Sequence, residues 1–168
     1  MTKVEGFFSE TEMDGMFAGS TRSEPDCLKC GLYKEAKSPK MQYTGQGKLY
    51  CLIVGEGPGK DEDENWKSWG YKQPTPFIGK AGQFKRDELS KHGLDLDRDF
   101  WMMNSINCRA FKIDDGKRVN REPTSQEITY CRPMIDKAIE ELKPQFIWLL
   151  GGKAVDSFYQ DHFKNTTM

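Results

Sequence analysis

The chain has 168 residues, enough for one domain and too few for two full ones, since single domains commonly hold about 100 to 200 residues. Apolar residues make up 36% and charged residues 30%, and 4 Trp, 6 Tyr and 10 Phe supply bulky side chains for a core, which excludes a disordered chain. A formal net charge of -1 excludes nucleic-acid binding through overall charge alone, and no run approaches the ~20 apolar residues of a membrane span.

The opening MTKVEGFFSETEMDG lacks a basic segment followed by an apolar run, so a soluble cytoplasmic protein is expected. Residues 1–24 show no clean period and read as an irregular lead-in or a short helix, ahead of a single domain over 25–168. Cys27-Leu28-Lys29-Cys30-Gly31-Leu32 makes a compact turn. Leu49 to Val54 reads as a buried strand running into the turn Gly55-Glu56-Gly57-Pro58-Gly59, an arrangement that offers backbone N–H groups to a ligand in α/β folds. Ala81 to His92 is expected to be helical, with Phe84 and Leu89 on one side and Gly93 as the stop. Phe100 to Met103 is a second strand, ending at Asn104. Thr124 is placed to cap a helix running to Leu142, with Glu127 as its capping-box partner and Lys143-Pro144 as its end. Phe146 to Leu150 is a third strand, and Gly151-Gly152 leads into a last helix, Ala154 to Phe163. Strands alternating with helices imply an α/β fold, three layers deep, with a mainly parallel central sheet.

Five cysteines lie at 27, 30, 51, 108 and 131, and in a reducing compartment such a set points to metal or catalysis rather than disulfides. Cys51 sits within an apolar strand and reads as a core residue. The other four are the number taken by an all-cysteine zinc site or a 4Fe-4S centre. Basic residues gather between Ser105 and Arg121, where Arg109, Lys112, Lys117, Arg118 and Arg121 stand against Asp114 and Asp115.

Five segments occur in a telling order: Cys27-x-x-Cys30; the strand with Gly-Glu-Gly-Pro-Gly; Pro76-Phe77-Ile78-Gly79-Lys80-Ala81-Gly82-Gln83; Asn104-x-x-x-Cys108-Arg109; and Arg121-x-Pro123-x-x-x-Glu127-x-x-x-Cys131. Together they resemble the iron-sulfur, thermophile-type (family four) uracil-DNA glycosylases, over roughly Cys27 to Ala154. The resemblance implies a DNA repair enzyme that flips uracil out of DNA and hydrolyses its N-glycosidic bond. It implies a 4Fe-4S cluster held by Cys27, Cys30, Cys108 and Cys131, with Arg109 and Arg132 as compensating cations; zinc on the same sulfurs is the alternative. It places Phe77 as the ring stacked on uracil and Asn104 as the reader of its edge, since a carboxamide both donates and accepts. Glu56 and Gly57 would lie against base and sugar, and Glu62 would hold or polarise the attacking water. Phe77 and Asn104 also have plain readings as core and strand-end residues, and Glu56 and Glu62 as solvated carboxylates.

Three departures from the family pattern stand out. Extra length between Asp63 and Pro76 adds Trp66, Trp69 and Tyr71, which would either meet DNA or a protein or pack on one another. Extra length from Lys112 to Arg118 reads as a basic loop that grips phosphates, together with Arg109 and Arg121. The family's later His-Pro-Ser segment has no counterpart before Met168, and neither His92 nor His162 precedes a proline. The expectation is therefore a C-terminally shortened domain, either a fragment of an enzyme or a weak or inactive glycosylase-like DNA-binding module with a replication or repair protein as partner. A nucleotide-binding reading of Gly55 to Gly59 is disfavoured, because the Lys and Ser/Thr of a phosphate loop are missing.

Overall fold

The computed structural model describes residues 25–162; the expected lead-in at 1–24 and the end of the last helix at Phe163 lie outside them. In chain order the elements are α1 (Cys27–Cys30), a 3-10 turn (Leu32–Lys34), β1 (Cys51–Gly55), a π-helical turn (Asp61–Asn65) and α2 (Lys80–Ser90). There follow α3 (Leu96–Asp99), β2 (Phe100–Asn104), β3 (Phe111–Asp114), β4 (Lys117–Asn120), α4 (Ser125–Leu142), β5 (Phe146–Leu149) and α5 (Gly152–His162).

The main sheet has the order β2-β1-β5 and is parallel throughout, with β1 in the centre and buried along its whole length. That position explains its unbroken apolar sequence, because a central parallel strand is covered on both faces. Side chains alternate between two cores. Leu52 and Val54 pack with Met103 of β2, Ile135 and Ala138 of α4 and Ala154 of α5. Cys51 and Ile53 face the other way, onto Leu96, Phe100 and Met102, with Leu89 of α2 beside them. The result is helix, sheet, helix, as the sequence pattern implies.

The capping box at α4 is present in full: Glu127 N–H donates to Thr124 Oγ1 at 3.2 Å, and Thr124 N–H donates to the Glu127 carboxylate at 2.8 Å. Lys143, in the left-handed region at φ 47, closes the helix by donating to the Ile139 carbonyl.

Three expectations need correction. The first strand starts at Cys51, not Leu49, because Tyr50 is left-handed (φ 53) and its N–H turns back to the Gly47 carbonyl. Phe84 does not share the buried side of its helix with Leu89; it is 65% exposed. The stretch 111–120 is not a loop but a two-stranded antiparallel hairpin. Its turn residues Asp115 and Gly116 both have positive φ (47 and 72), the demand of a type I′ turn that Asp-Gly meets. Among the described residues no helix is long and apolar enough to cross a membrane.

Candidate active site and cysteine centre

β1 and β2 run in register with Gly55 opposite Asn104, so both strands end at one level. Beyond that level the Ser105 N–H and hydroxyl both donate to the Gly55 carbonyl at 2.8 Å, and Ile106 N–H donates to the Glu56 carbonyl at 3.2 Å. The glycine turn is thereby laid along the segment after β2, at the C-terminal strand ends where open α/β sheets bind ligands.

A Cβ on Gly55 would stand 2.6 Å from the Phe77 ring and 2.7 Å from Asn104 Oδ1. Ring and carboxamide thus converge over a backbone position that only glycine leaves open. Asn104 is buried, at 4% exposure. Phe77 sits in the left-handed region at φ 60, an uncommon state for an aromatic residue that persists only where its surroundings impose it. Gly82 of α2 lies so close that a Cβ there would be 2.0 Å from the Phe77 carbonyl oxygen. Arg86 donates to that same carbonyl at 3.2 Å and is itself fixed by two bonds to Asp97, at 2.5 and 3.0 Å.

Glu62 is tied to both loops of the site. Its carboxylate is buried and accepts from three backbone N–H groups, those of Ile78 (3.1 Å), Gly79 (3.0 Å) and Gly59 (3.0 Å). Oε1 takes two of those bonds and Oε2 one, so Glu62 holds the two loops in position and keeps one acceptor site on Oε2. Glu56 is the partly exposed carboxyl of the site, on a cavity of about 70 Å³ that Gly57, Ile106 and Arg121 also line. Burial pushes its carboxyl above the usual range and the charge of Glu122 adds to this, while Lys153 opposes both. Lys153 stands 3.4 Å from Glu122.

The cysteines gather behind this turn. Asp26 caps α1 and its N–H donates to the Tyr130 carbonyl, which docks α1 on α4 beside Cys131. Burial raises the Cys131 thiol to about 12, against a donation from Asn107 N–H, and Cys108, Cys30 and Cys27 add to the rise. Burial likewise raises Cys108, opposed by Lys40 N–H at 3.2 Å, with Cys30, Cys27 and Asp63 raising it further. Burial raises Cys30, opposed by Leu32 N–H and by Arg121. Four sulfurs therefore lie within electrostatic reach of one another, and three of them receive backbone N–H groups that favour thiolate. Among the described residues, no three His, Cys, Asp or Glu side chains converge closely enough to hold one metal ion. Cys51 lies in the core of the sheet, apart from the other four.

Residues 42–167 match the sequence model of the uracil DNA glycosylase superfamily. The chain belongs to that superfamily. It is 35% identical over 126 residues to the type-4 uracil-DNA glycosylase of Pyrobaculum aerophilum, covering 75% of this chain and 56% of that protein. It is 33% identical over 137 residues to the type-4 enzyme of Thermotoga maritima, covering 80% and 61%. The type-4 enzyme of Archaeoglobus fulgidus is 31% identical over 125 residues, covering 74% and 54%. The chain spans little more than half the length of the curated relatives it matches.

Within this superfamily framework the basic residues divide. Arg109 is not a DNA contact: it is 1% exposed and spends its guanidinium on Asn120 (2.7 Å), Glu64 (2.5 Å) and the Arg118 carbonyl (3.1 Å). Arg132 is also buried, at 5% exposure; it pairs with Asp136 one turn along α4 and ties α4 to α5 through the Ser157 carbonyl, with its guanidinium over Phe158. Arg118 lies on the Phe111 ring and donates to the Glu35 carbonyl, and Arg121 forms two bonds with Glu127. Lys112 and Lys117 are exposed and share one face of the hairpin, since Lys112 pairs with Val119 and Asp114 with Lys117. In the added segment Trp66 donates to Ser38 Oγ at 3.0 Å and Tyr71 lies under Arg86, while Trp69 is 42% exposed.

Two contributions escaped the sequence reading. Arg121 is the cation beside Cys30, a role assigned instead to Arg109 and Arg132. Gly82 shapes Phe77; its signal was a glycine inside a helix, which costs ~1 kcal/mol relative to alanine and so points to close packing.

Proposed function

We propose that this chain is the base-binding part of a uracil-DNA glycosylase, in which uracil flipped out of DNA is held between Phe77 and Asn104 and its N-glycosidic bond is hydrolysed. The observation that supports it most is the convergence of the Phe77 ring and the Asn104 carboxamide over Gly55. A flat ring offers uracil a stacking face, and a buried carboxamide reads its edge by donating to a carbonyl and accepting from the adjacent N–H. A base lacking that pattern leaves the carboxamide unpaired, which is how a buried polar reader gives selectivity.

Bond cleavage develops positive charge on the sugar and negative charge on the leaving base. Glu56, at the rim of the glycine turn, is the carboxylate suited to the sugar side; the Asn104 amide is a donor toward the base. Glu62 holds Gly59, Ile78 and Gly79 in place, which fixes the turn and the Phe77 loop before substrate arrives. Lys112 and Lys117 are the exposed cations suited to phosphate contacts.

Cys27, Cys30, Cys108 and Cys131 are the residues that would hold a 4Fe-4S cluster. Backbone N–H groups that reach three of the sulfurs suit thiolates of such a centre. Bound there, it supplies a clamp between α1, the segment after β2 and α4 rather than reaction chemistry.

The test is binding and uracil release on oligonucleotides carrying one deoxyuridine or thymidine at the same place, by the protein and by Asn104→Ala. Preference for deoxyuridine that Asn104→Ala abolishes supports the reading. Equal affinity for both oligonucleotides, unchanged in the variant, would falsify it.

A further inference from the structure

Asp61 to Glu64 are four consecutive acidic residues in the π-helical turn, and the fold buries two of them, Glu62 and Asp63. A run of carboxylates is ordinarily a solvated face. Here each of the last three reaches a different neighbour. Glu62 accepts from Gly59, Ile78 and Gly79, the backbone that follows Glu56 and Phe77. Asp63, 1% exposed, accepts from Ser38 N–H at 2.7 Å, and its carbonyl accepts from Ser38 Oγ at 2.7 Å. Two residues on, Lys40 N–H donates to Cys108 Sγ and Met41 N–H to the Asn107 carbonyl. Glu64 pairs with Arg109, the residue after Cys108.

Packing leaves this turn little room to move independently. A Cβ on Gly59 would be 2.9 Å from Glu62 Oε2, and one on Gly79 would be 3.2 Å from Asp61 Oδ2. Trp66, just past the turn and part of the added segment, closes the other side by donating to Ser38 Oγ. Ser38 and Arg109 thus connect the Cys108 segment to Asp63 and Glu64, and the adjacent Glu62 connects the turn to the loops after Glu56 and Phe77.

We propose that the turn Asp61–Asn65 mechanically couples the cysteine centre to the base pocket, with Asp63 and Glu64 as positioning residues seated by the Cys108 segment and Glu62 as the arm that sets the pocket loops. This rests on the reading of the two sites given under Proposed function. A coupling of this kind is reciprocal: what loosens one end loosens the other.

The experiment uses the purified protein with its metal bound and no DNA. Hydrogen exchange at the Gly59, Ile78 and Gly79 amides reads the pocket end; loss of bound metal to a chelator reads the cysteine end. Ser38→Ala and Glu64→Gln, both on the cysteine side, should speed exchange at those amides about three- to tenfold, the scale of one or two lost hydrogen bonds. Glu62→Gln, on the pocket side, should speed metal loss by a similar factor. Gly79→Ala provides a milder push on Asp61 and Glu62 should Glu62→Gln fold poorly. Cys51→Ala should change neither readout. Variants that each alter only their own end, or a purified protein without bound metal, overturn the coupling. Neither readout involves uracil, so a protein that couples the two ends but ignores uracil would sink the function and keep the inference. One that selects uracil with independent ends would do the reverse.

Discussion

Replacing Gly55 with alanine tests the point where the Phe77 ring and the Asn104 carboxamide converge. Gly55 has no positive φ, so alanine is conformationally acceptable there and the perturbation is steric. The new methyl would lie 2.6 Å from Phe77 Cε1, 2.8 Å from Phe77 Cζ and 2.7 Å from Asn104 Oδ1. Ordinary contact needs about 3.5 Å, so ring and carboxamide must each retreat by about 0.8 Å. Overpacking of this kind costs about 1 to 3 kcal/mol, which the partly exposed Phe77 ring relieves by moving outward. Function should suffer more than stability, because a misplacement of about 1 Å at a reacting centre costs on the order of 100-fold. The assay pairs thermal denaturation with binding and single-turnover uracil release on a deoxyuridine oligonucleotide. The expected result is a folded protein with a modest loss of stability and a large loss of uracil selectivity. If Gly55→Ala binds and releases uracil as the parent protein does, the base does not lie between Phe77 and Asn104, and the pocket has been placed wrongly.

Other perturbations address the remaining parts. Cys108→Ala should strip iron and sulfide and the visible absorption that accompanies them, whereas Cys51→Ala should retain both; stoichiometric zinc without iron in the parent protein would contradict the cluster. Lys153→Gln removes a charge that lowers the Glu56 pKa, so the acid limb of the pH–activity profile, raised above the usual carboxylate range by burial and Glu122, should move to higher pH. An unmoved limb would mean that Glu56 does not set it.

Gly55-Glu56-Gly57-Pro58-Gly59 after an apolar run, the capping box at Thr124 and Glu127, and the proline after Lys143 are local signals, and the structure honours each because nothing distant competes with them. The Asp-Gly pair at 115–116 is an equally local signal, of a hairpin turn, which the charges around it obscure. What the sequence alone determined is the alternation of strand and helix, the burial of the first strand and the chemical types gathered at each site, since these depend on periodicity and composition within a few residues. Only the tertiary structure decided which charges are available. Arg109 follows a cysteine in a basic stretch, yet folding buries it against Glu64 and Asn120, while the neighbouring Lys112 and Lys117 remain exposed. The acidic run was divided in the same way, with Glu62 and Asp63 turned inward onto backbone N–H groups far away in the chain. Burial and hydrogen-bond partnership are properties of residues brought together from 16 or 25 positions apart, and no local pattern encodes them.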